Sequence, residues 1–283
     1  MSDPRVSSVL LASFSAAAGL LGSCSPAGER AAEAESSVIG GVDDARDRSV
    51  VAVFRKDERG VSRHLCSGAL IAPALVLTAR HCVARTPKSI HCPTTEFAEV
   101  LPPDRIDVTT DQRAWPGKPR RLRAAAILTP PGPRLVCGHD VALIVLRDAA
   151  GPGVEILAPR LAEPVRAGER YTAIGFGATG SGLQGLGSRR RLDTFHVLCV
   201  GSGCGDDDLS EGEWRGDLGS CPGDSGGPVL DARGLIIGVA SRGPDDCAKP
   251  IYDAVTAHAA WLREEARRLA HASGHEAPWW SGG

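Results

Sequence analysis

Asp140-Val141-Ala142-Leu143-Ile144-Val145-Leu146-Arg147-Asp148 is a six-residue apolar run between aspartates. Its β-branched content and short length read as a buried strand. Runs of the same kind recur at residues 50–54, 69–71, 75–78, 171–174, 195–198 and 235–239. Each ends at Gly, Pro or Asp, and no helical pattern of useful length separates them. Many short strands without intervening helices indicate an all-β barrel or sandwich. The Pro- and Gly-bearing stretch 148–164 divides the strands into two halves. The exception is the C-terminus. Val255, Ala259, Leu262, Ala266 and Leu269 lie on one face of a helix. That predicts a helix over 256–272, capped by Thr256 and ended by Gly274, with 273–283 as a flexible tail.

Composition narrows the function classes. The chain has 283 residues and a formal charge of −2, which argues against a nucleic-acid protein with its basic excess. The 34 Gly and 20 Pro make it turn-rich without reaching a disordered composition. No apolar run is long enough to span a membrane as a helix. Nine cysteines are more than a reducing compartment leaves idle.

The first 37 residues read as an address and a tether. Residues 1–23 form an export signal, with Arg5 near the start, an apolar stretch from Val6 to Leu21, then Gly22 and Ser23. Leu21-Gly22-Ser23-Cys24 resembles the lipobox of bacterial lipoproteins, in which the Cys becomes the lipidated first residue. Lipidation of Cys24 leaves an even set of cysteines for disulfides. Residues 24–37 are small and polar and read as a flexible spacer or propeptide. The expected product is exported and held at an outer or cell-surface membrane through Cys24, or released by processing.

Three segments carry the chemistry. They are Leu77-Thr78-Ala79-Arg80-His81-Cys82, His139-Asp140-Val141-Ala142-Leu143, and Cys221-Pro222-Gly223-Asp224-Ser225-Gly226-Gly227-Pro228. Peptide hydrolysis at a serine needs a base for the hydroxyl proton, a carboxylate to orient that base, and backbone donors for the oxyanion. The segments offer one candidate for each role in the chain order His, Asp, Ser.

With Val38-Ile39-Gly40-Gly41 as a fourth anchor, residues 38–272 resemble the chymotrypsin/trypsin family of serine endopeptidases. The resemblance implies two six-stranded antiparallel β-barrels, over about 38–147 and 161–254, with the active site between them and a C-terminal helix. It makes Ser225 the nucleophile, His81 the general base and then acid, and Asp140 the group that orients His81. The N–H groups of Gly223 and Ser225 form the oxyanion hole. A monomer acting on protein or peptide substrates is implied, with no cofactor and no metal.

The resemblance also implies the disulfides Cys66–Cys82 and Cys221–Cys247. The other four cysteines depart from the family pattern. Pairing Cys92 with Cys137, both in the first half, and Cys199 with Cys204, five apart, completes the set. Zinc is the competing reading, but no Cys-x₂-Cys spacing occurs.

Gly219, six residues before the nucleophile, falls at the family's primary pocket floor with Ser220. Ser241-Arg242-Gly243 falls at the pocket wall, with Arg242 in place of the usual Trp and a charge expected near the cleft. Ile251 lies in a shortened segment that narrows the pocket. No acid marks the floor, so small or medium apolar residues are expected in place of Arg or Lys. Asp224 is the family's partner for the α-amino group exposed by propeptide cleavage, here expected at Val38. No Arg or Lys precedes that bond, so a trypsin-like activator is not expected.

Other signals are set aside. Gly175-Phe176-Gly177-Ala178-Thr179-Gly180 fits G-x-G-x-x-G, but the Gly-rich residues 181–191 cannot open a helix. Arg189-Arg190-Arg191 reads as a solvated loop or strand edge, and Asp206-Asp207-Asp208, with Glu211 and Glu213, lacks calcium-loop spacing. The rival functions are a protease-like binding protein that has lost turnover and an esterase using the same site.

Overall fold

The computed structural model describes residues 41–87, 89–115, 119–179, 183–205, 208–244 and 246–282. The export segment, Cys24, the spacer and Val38 lie outside them. Strands β2 (Val50–Lys56), β3 (Ser62–Ala72), β4 (Leu75–Thr78), β5 (Ile106–Thr109), β6 (Leu122–Leu128) and β7 (Ala142–Leu146) come after the two-residue strand β1 (Val42–Asp43). They close into an antiparallel barrel in the order β2-β3-β4-β7-β6-β5, sealed by the β2–β5 pair. The second barrel uses β8 (Arg170–Gly175), β9 (Arg190–Val200), β10 (Glu213–Gly216), β11 (Pro228–Leu230), β12 (Ile236–Arg242) and β13 (Ile251–Ala254). Its order is β9-β10-β13-β12-β11-β8, closed by β8–β9, with β1 added on the edge of β9. The all-β expectation of two six-stranded barrels is met.

The apolar runs are unbroken because both faces of these strands are covered. The core of the first barrel is continuous with Ile174, Phe176 and Val239 of the second half and with Leu262 and Trp280 near the C-terminus. A strand buried on two sides has no reason to alternate polar with apolar. The second barrel is filled by aromatic rings instead. Trp214 stacks on Tyr252 at 4.3 Å, and Tyr171 meets Trp214, Tyr252 and Phe195 at 5.1–5.6 Å.

Four disulfides are present: Cys66–Cys82, Cys92–Cys137, Cys199–Cys204 and Cys221–Cys247. The first ties β3 to the turn after β4.

Three local expectations fail. Helix α1 runs over Ala259–Ala272, after a 3₁₀ turn at Val255–His258, and Thr256 does not cap it. The tighter turn takes up the first residues because Val255 and His258 both have to be buried. The C-terminal residues are not a free tail. Trp280 is 5% exposed and its indole N–H donates to Ile71 O at 2.9 Å, so burial of a large ring anchors the segment. Arg189 is not solvated. It is 1% exposed, faces Asp44 at 3.2 Å and donates to Val50 O and Thr110 O. Arg190 pairs with Asp43 and Arg191 with Asp47, so the basic run fastens the segment around β1 to β9.

Replacing Trp280 with Ala removes a buried ring and leaves the Ile71 carbonyl without its donor. The expected loss is about 3 kcal/mol of unfolding free energy, read from urea denaturation.

Candidate active site

The site is assembled where barrel one meets barrel two. His81 lies in the 3₁₀ turn Arg80–Cys82 directly after β4, and Cys82 is bridged to Cys66 of β3. Asp140 precedes β7 and is 1% exposed. The structure brings these two together twice over. His81 Nδ1 is 2.8 Å from Asp140 Oδ2, and the His81 backbone N–H donates to Asp140 Oδ1 at 2.9 Å. The carboxylate acceptor makes Nδ1 the protonated nitrogen and leaves Nε2 free of that bond.

Barrel two supplies a third bond, from Ser241 Oγ to Asp140 Oδ2 at 2.6 Å. Ser241 reaches Asp140 through a β-bulge. Ala240 pairs with Tyr252 and Arg242 with Ile251, so Ser241 is an extra residue on β12. A bulge re-aims a side chain in this way.

Ser225 sits in the loop before β11. Its carbonyl accepts from Ser67 N–H at 2.8 Å and lies 3.4 Å from Cys82 Sγ. Gly226 packs so closely on the His81 turn that a Cβ there would fall 2.5 Å from Ser67 O and 2.8 Å from Ala79 N. Its φ of +81° independently favours glycine. Among the described residues Ser225 Oγ makes no hydrogen bond with His81. Such bonds are often long before substrate binds.

Within this loop the N–H groups of Asp224, Gly226 and Gly227 are spent on Cys221 O, Ala240 O and Asp224 O. Among the described residues those of Gly223 and Ser225 are not hydrogen-bonded. Gly223 has φ +102°, and its carbonyl accepts from Ser67 Oγ at 2.9 Å.

Asp224 is buried, with Oδ1 accepting from Gly177 N–H at 2.7 Å and Oδ2 from Cys221 N–H at 3.0 Å. Burial pushes its carboxyl up to about 6, although the two backbone donors act the other way. A small cleft beside it is lined by Gly177, Leu192, Leu218, Gly219 and Cys221.

Arg242 carries its charge beside Ser241 as half of an ion pair. Its guanidinium forks onto Glu213, with Nη1 on Oε1 and Nη2 on Oε2, and also reaches Asp208 O and Ser241 Oγ. Glu213 has no exposed surface, so its charge needs this partner. Burial acts to lower the Arg242 pKa, but the Glu213 carboxylate outweighs it and the net direction is upward.

Gly219 is half-buried, and a Cβ there would meet Phe195 at 3.0 Å and Ala173 at 3.1 Å. The nearby Asp217 accepts from His196 N–H and Leu218 N–H and from the Tyr171 hydroxyl at 3.3 Å. Ser220 is half-buried, Gly243 exposed and Ile251 buried in β13.

A family model described as trypsin matches residues 38–262. The chain belongs to the trypsin family. Tonin of Rattus norvegicus is 26% identical over 228 residues, covering 72% of this chain and 82% of its own length. Granzyme M of Homo sapiens is 28% identical over 223 residues, covering 73% and 81%. The thrombin-like enzyme ancrod-2 of Calloselasma rhodostoma is 26% identical over 247 residues, covering 82% and 89%. This trypsin-family chain is accordingly a serine endopeptidase, a hydrolase acting on peptide or protein substrates.

Sequence reasoning missed Ser67, Asp253 and His258 around this trypsin-family site, and weighed Glu213 only as a calcium ligand. Glu213 and Asp253 left a trace, since each is an acid within a short strand. Ser67 left none beyond its place next to Cys66.

The raised Asp224 pKa has a stability consequence. The protonated form is favoured in the fold, so its contribution is complete below about 3.8 and is lost as pH rises through about 6. The loss amounts to about 3 kcal/mol by pH 7. Asp224→Asn has no charge to lose. In the full-length chain the stability of the variant relative to the parent is therefore expected to rise between pH 4 and pH 7, as read by denaturation at each pH.

Proposed function

We propose that this protease cuts peptide bonds with Ser225, His81 and Asp140, through an acyl-enzyme. The observation that carries the reading is the His81–Asp140 pair at 2.8 Å, set beside a loop whose Gly223 and Ser225 N–H groups are unspent. In this reading Ser225 Oγ bonds to the scissile carbonyl carbon while its proton passes to His81 Nε2. Asp140 holds the ring in the tautomer that can accept it. The carbonyl oxygen, now negative, takes hydrogen bonds from Gly223 N–H and Ser225 N–H. His81 returns the proton to the leaving amine as the C–N bond breaks. Water then repeats the sequence on the acyl-enzyme and frees Ser225.

The pocket reading is a preference for small or medium apolar side chains. Its support is the apolar setting of Gly219 against Phe195 and Ala173. Arg242 belongs to the wall as half of an ion pair and does not present a free charge to substrate.

Activation turns on Asp224. A buried carboxylate held by the Gly177 and Cys221 N–H groups, with Arg190 of the same cleft paired to Asp43, fits an α-amino group created by cleavage before Val38. The cleft beside Asp224, with Leu192 and Leu218 in its lining, suits the Val38 side chain. Strand β1 starts four residues later and is paired with β9, within reach at about 3.3 Å per residue. The leader fits export, and Cys24 fits lipid attachment to a membrane surface until that cleavage releases a monomeric enzyme.

A fluorophosphonate probe is expected to label the processed protein, and Ser225→Ala to abolish both labelling and about 10⁶-fold of kcat. Intact, correctly processed protein that does not label rejects the reading in favour of a binding protein. On a chromogenic peptide panel, Ala, Val or Leu at the cleaved position is expected to exceed Arg and Lys in kcat/KM. Mass spectrometry of the active form is expected to find Val38 as its first residue. An active form that still begins at Cys24 contradicts the activation scheme.

A further inference from the structure

The carboxylate of Asp140 is held by His81 and Ser241, but its backbone is held by a residue outside that set. Asp253, in β13, accepts the Asp140 N–H on Oδ2 at 2.7 Å. Its other oxygen, Oδ1, lies 2.8 Å from His258 Nε2. Asp253 has no exposed surface and His258 is 6% exposed. The two oxygens of one dry carboxylate are thus divided between the peptide that carries Asp140 and an imidazole that immediately precedes helix α1.

Satisfying one peptide N–H does not require this. A neutral carbonyl or hydroxyl would serve, without setting a second buried carboxylate beside Asp140 and adding like-charge repulsion. What a carboxylate adds is a shorter and stronger bond with a fixed direction. We infer that Asp253 and His258 form a positioning pair that fixes the Asp140 peptide, and through it the bond between Asp140 and His81. The inference rests on the reading of His81 and Asp140 as catalytic groups.

The pair acts in sequence. His258 donates Nε2–H to Asp253 and holds its carboxyl rotamer. Asp253 then holds the 139–140 peptide from barrel two, while Ser241 holds the Asp140 carboxylate from the same barrel. With backbone and side chain both fixed, the two oxygens of Asp140 have one arrangement open to them, and it is the one aimed at His81. Without Asp253 the Asp140 N–H loses its acceptor, and only Ser241 and His81 itself are left to orient the carboxylate.

The charged surroundings make the effect readable. Arg80, in the turn carrying His81, adds positive field at Asp140. Glu213 of β10 and Arg242 of β12 offset each other as an ion pair. His139 faces His258 with ring centroids 6.3 Å apart, and burial followed by His258 lowers its pKa. None of these groups replaces Asp253 as acceptor of the Asp140 N–H.

The test compares the full-length parent with Asp253→Ala, Asp253→Asn, His258→Leu and His258→Gln. Two readouts are taken: the His81 titration midpoint by NMR with labelled histidine, and kcat and KM on one peptide substrate. Asp253→Ala and His258→Leu are expected to lower the His81 midpoint and reduce kcat by roughly 10²-fold, with KM nearly unchanged. His258→Gln keeps an N–H donor at the same reach and is expected to recover most of the loss. Asp253→Asn keeps an acceptor without the charge and is expected to fall between.

An unchanged His81 midpoint with kcat within about two-fold of the parent in Asp253→Asn overturns the inference. A loss shared equally by His258→Gln and His258→Leu also overturns it, since packing alone is then at work. If Asp253→Ala does not fold, the Asn and Gln variants decide. A parent without turnover but with a His81 midpoint that still follows these substitutions removes the catalytic reading and leaves the positioning pair standing.

Discussion

The two barrels share one buried carboxylate. Asp140 belongs to barrel one, yet Ser241 of β12 holds its side chain and Asp253 of β13 holds its backbone. An ionised group with 1% exposure survives only if hydrogen bonds replace the water it has lost. Here the replacement comes from both halves of the molecule. Displacing either barrel leaves an unsatisfied charge in the seam, so the relative placement of the halves and the orientation of His81 are set by the same requirement.

A second set of constraints brings the Ser225 loop to the same seam. Ser67 bonds to Ser225 O, Gly223 O and Phe176 N–H, and its carbonyl accepts from Thr78 Oγ1. Gly226 lets backbone meet backbone where any side chain would intrude. Neither residue needs to touch substrate. Their effect is to remove freedom from a loop that would otherwise open and close on its own, which is the condition for amide donors to be aimed before reaction.

Much of this was legible in the amino-acid sequence. The apolar runs marked the strands because burial on both faces erases alternation. The segments around His81, Asp140 and Ser225 named a site because their chemistry is written in short local patterns. What could not be read was pairing across distance. Nothing near Glu213 announces Arg242, twenty-nine residues on, so the ion pair between them is written in neither segment. Arg189 looked solvated because three adjacent arginines resemble a surface run, whereas Asp43, Asp44 and Asp47 lie far away along the chain. Trp280 looked frayed because a terminal ring has no periodic neighbours to signal burial.

The Glu213–Arg242 pair also bears on how this protein can change over generations. Deleting one member strands a buried charge, at about 3–5 kcal/mol, whereas exchanging both for apolar residues is close to neutral or favourable. Two acceptable sequences are thus separated by an intermediate that folds poorly.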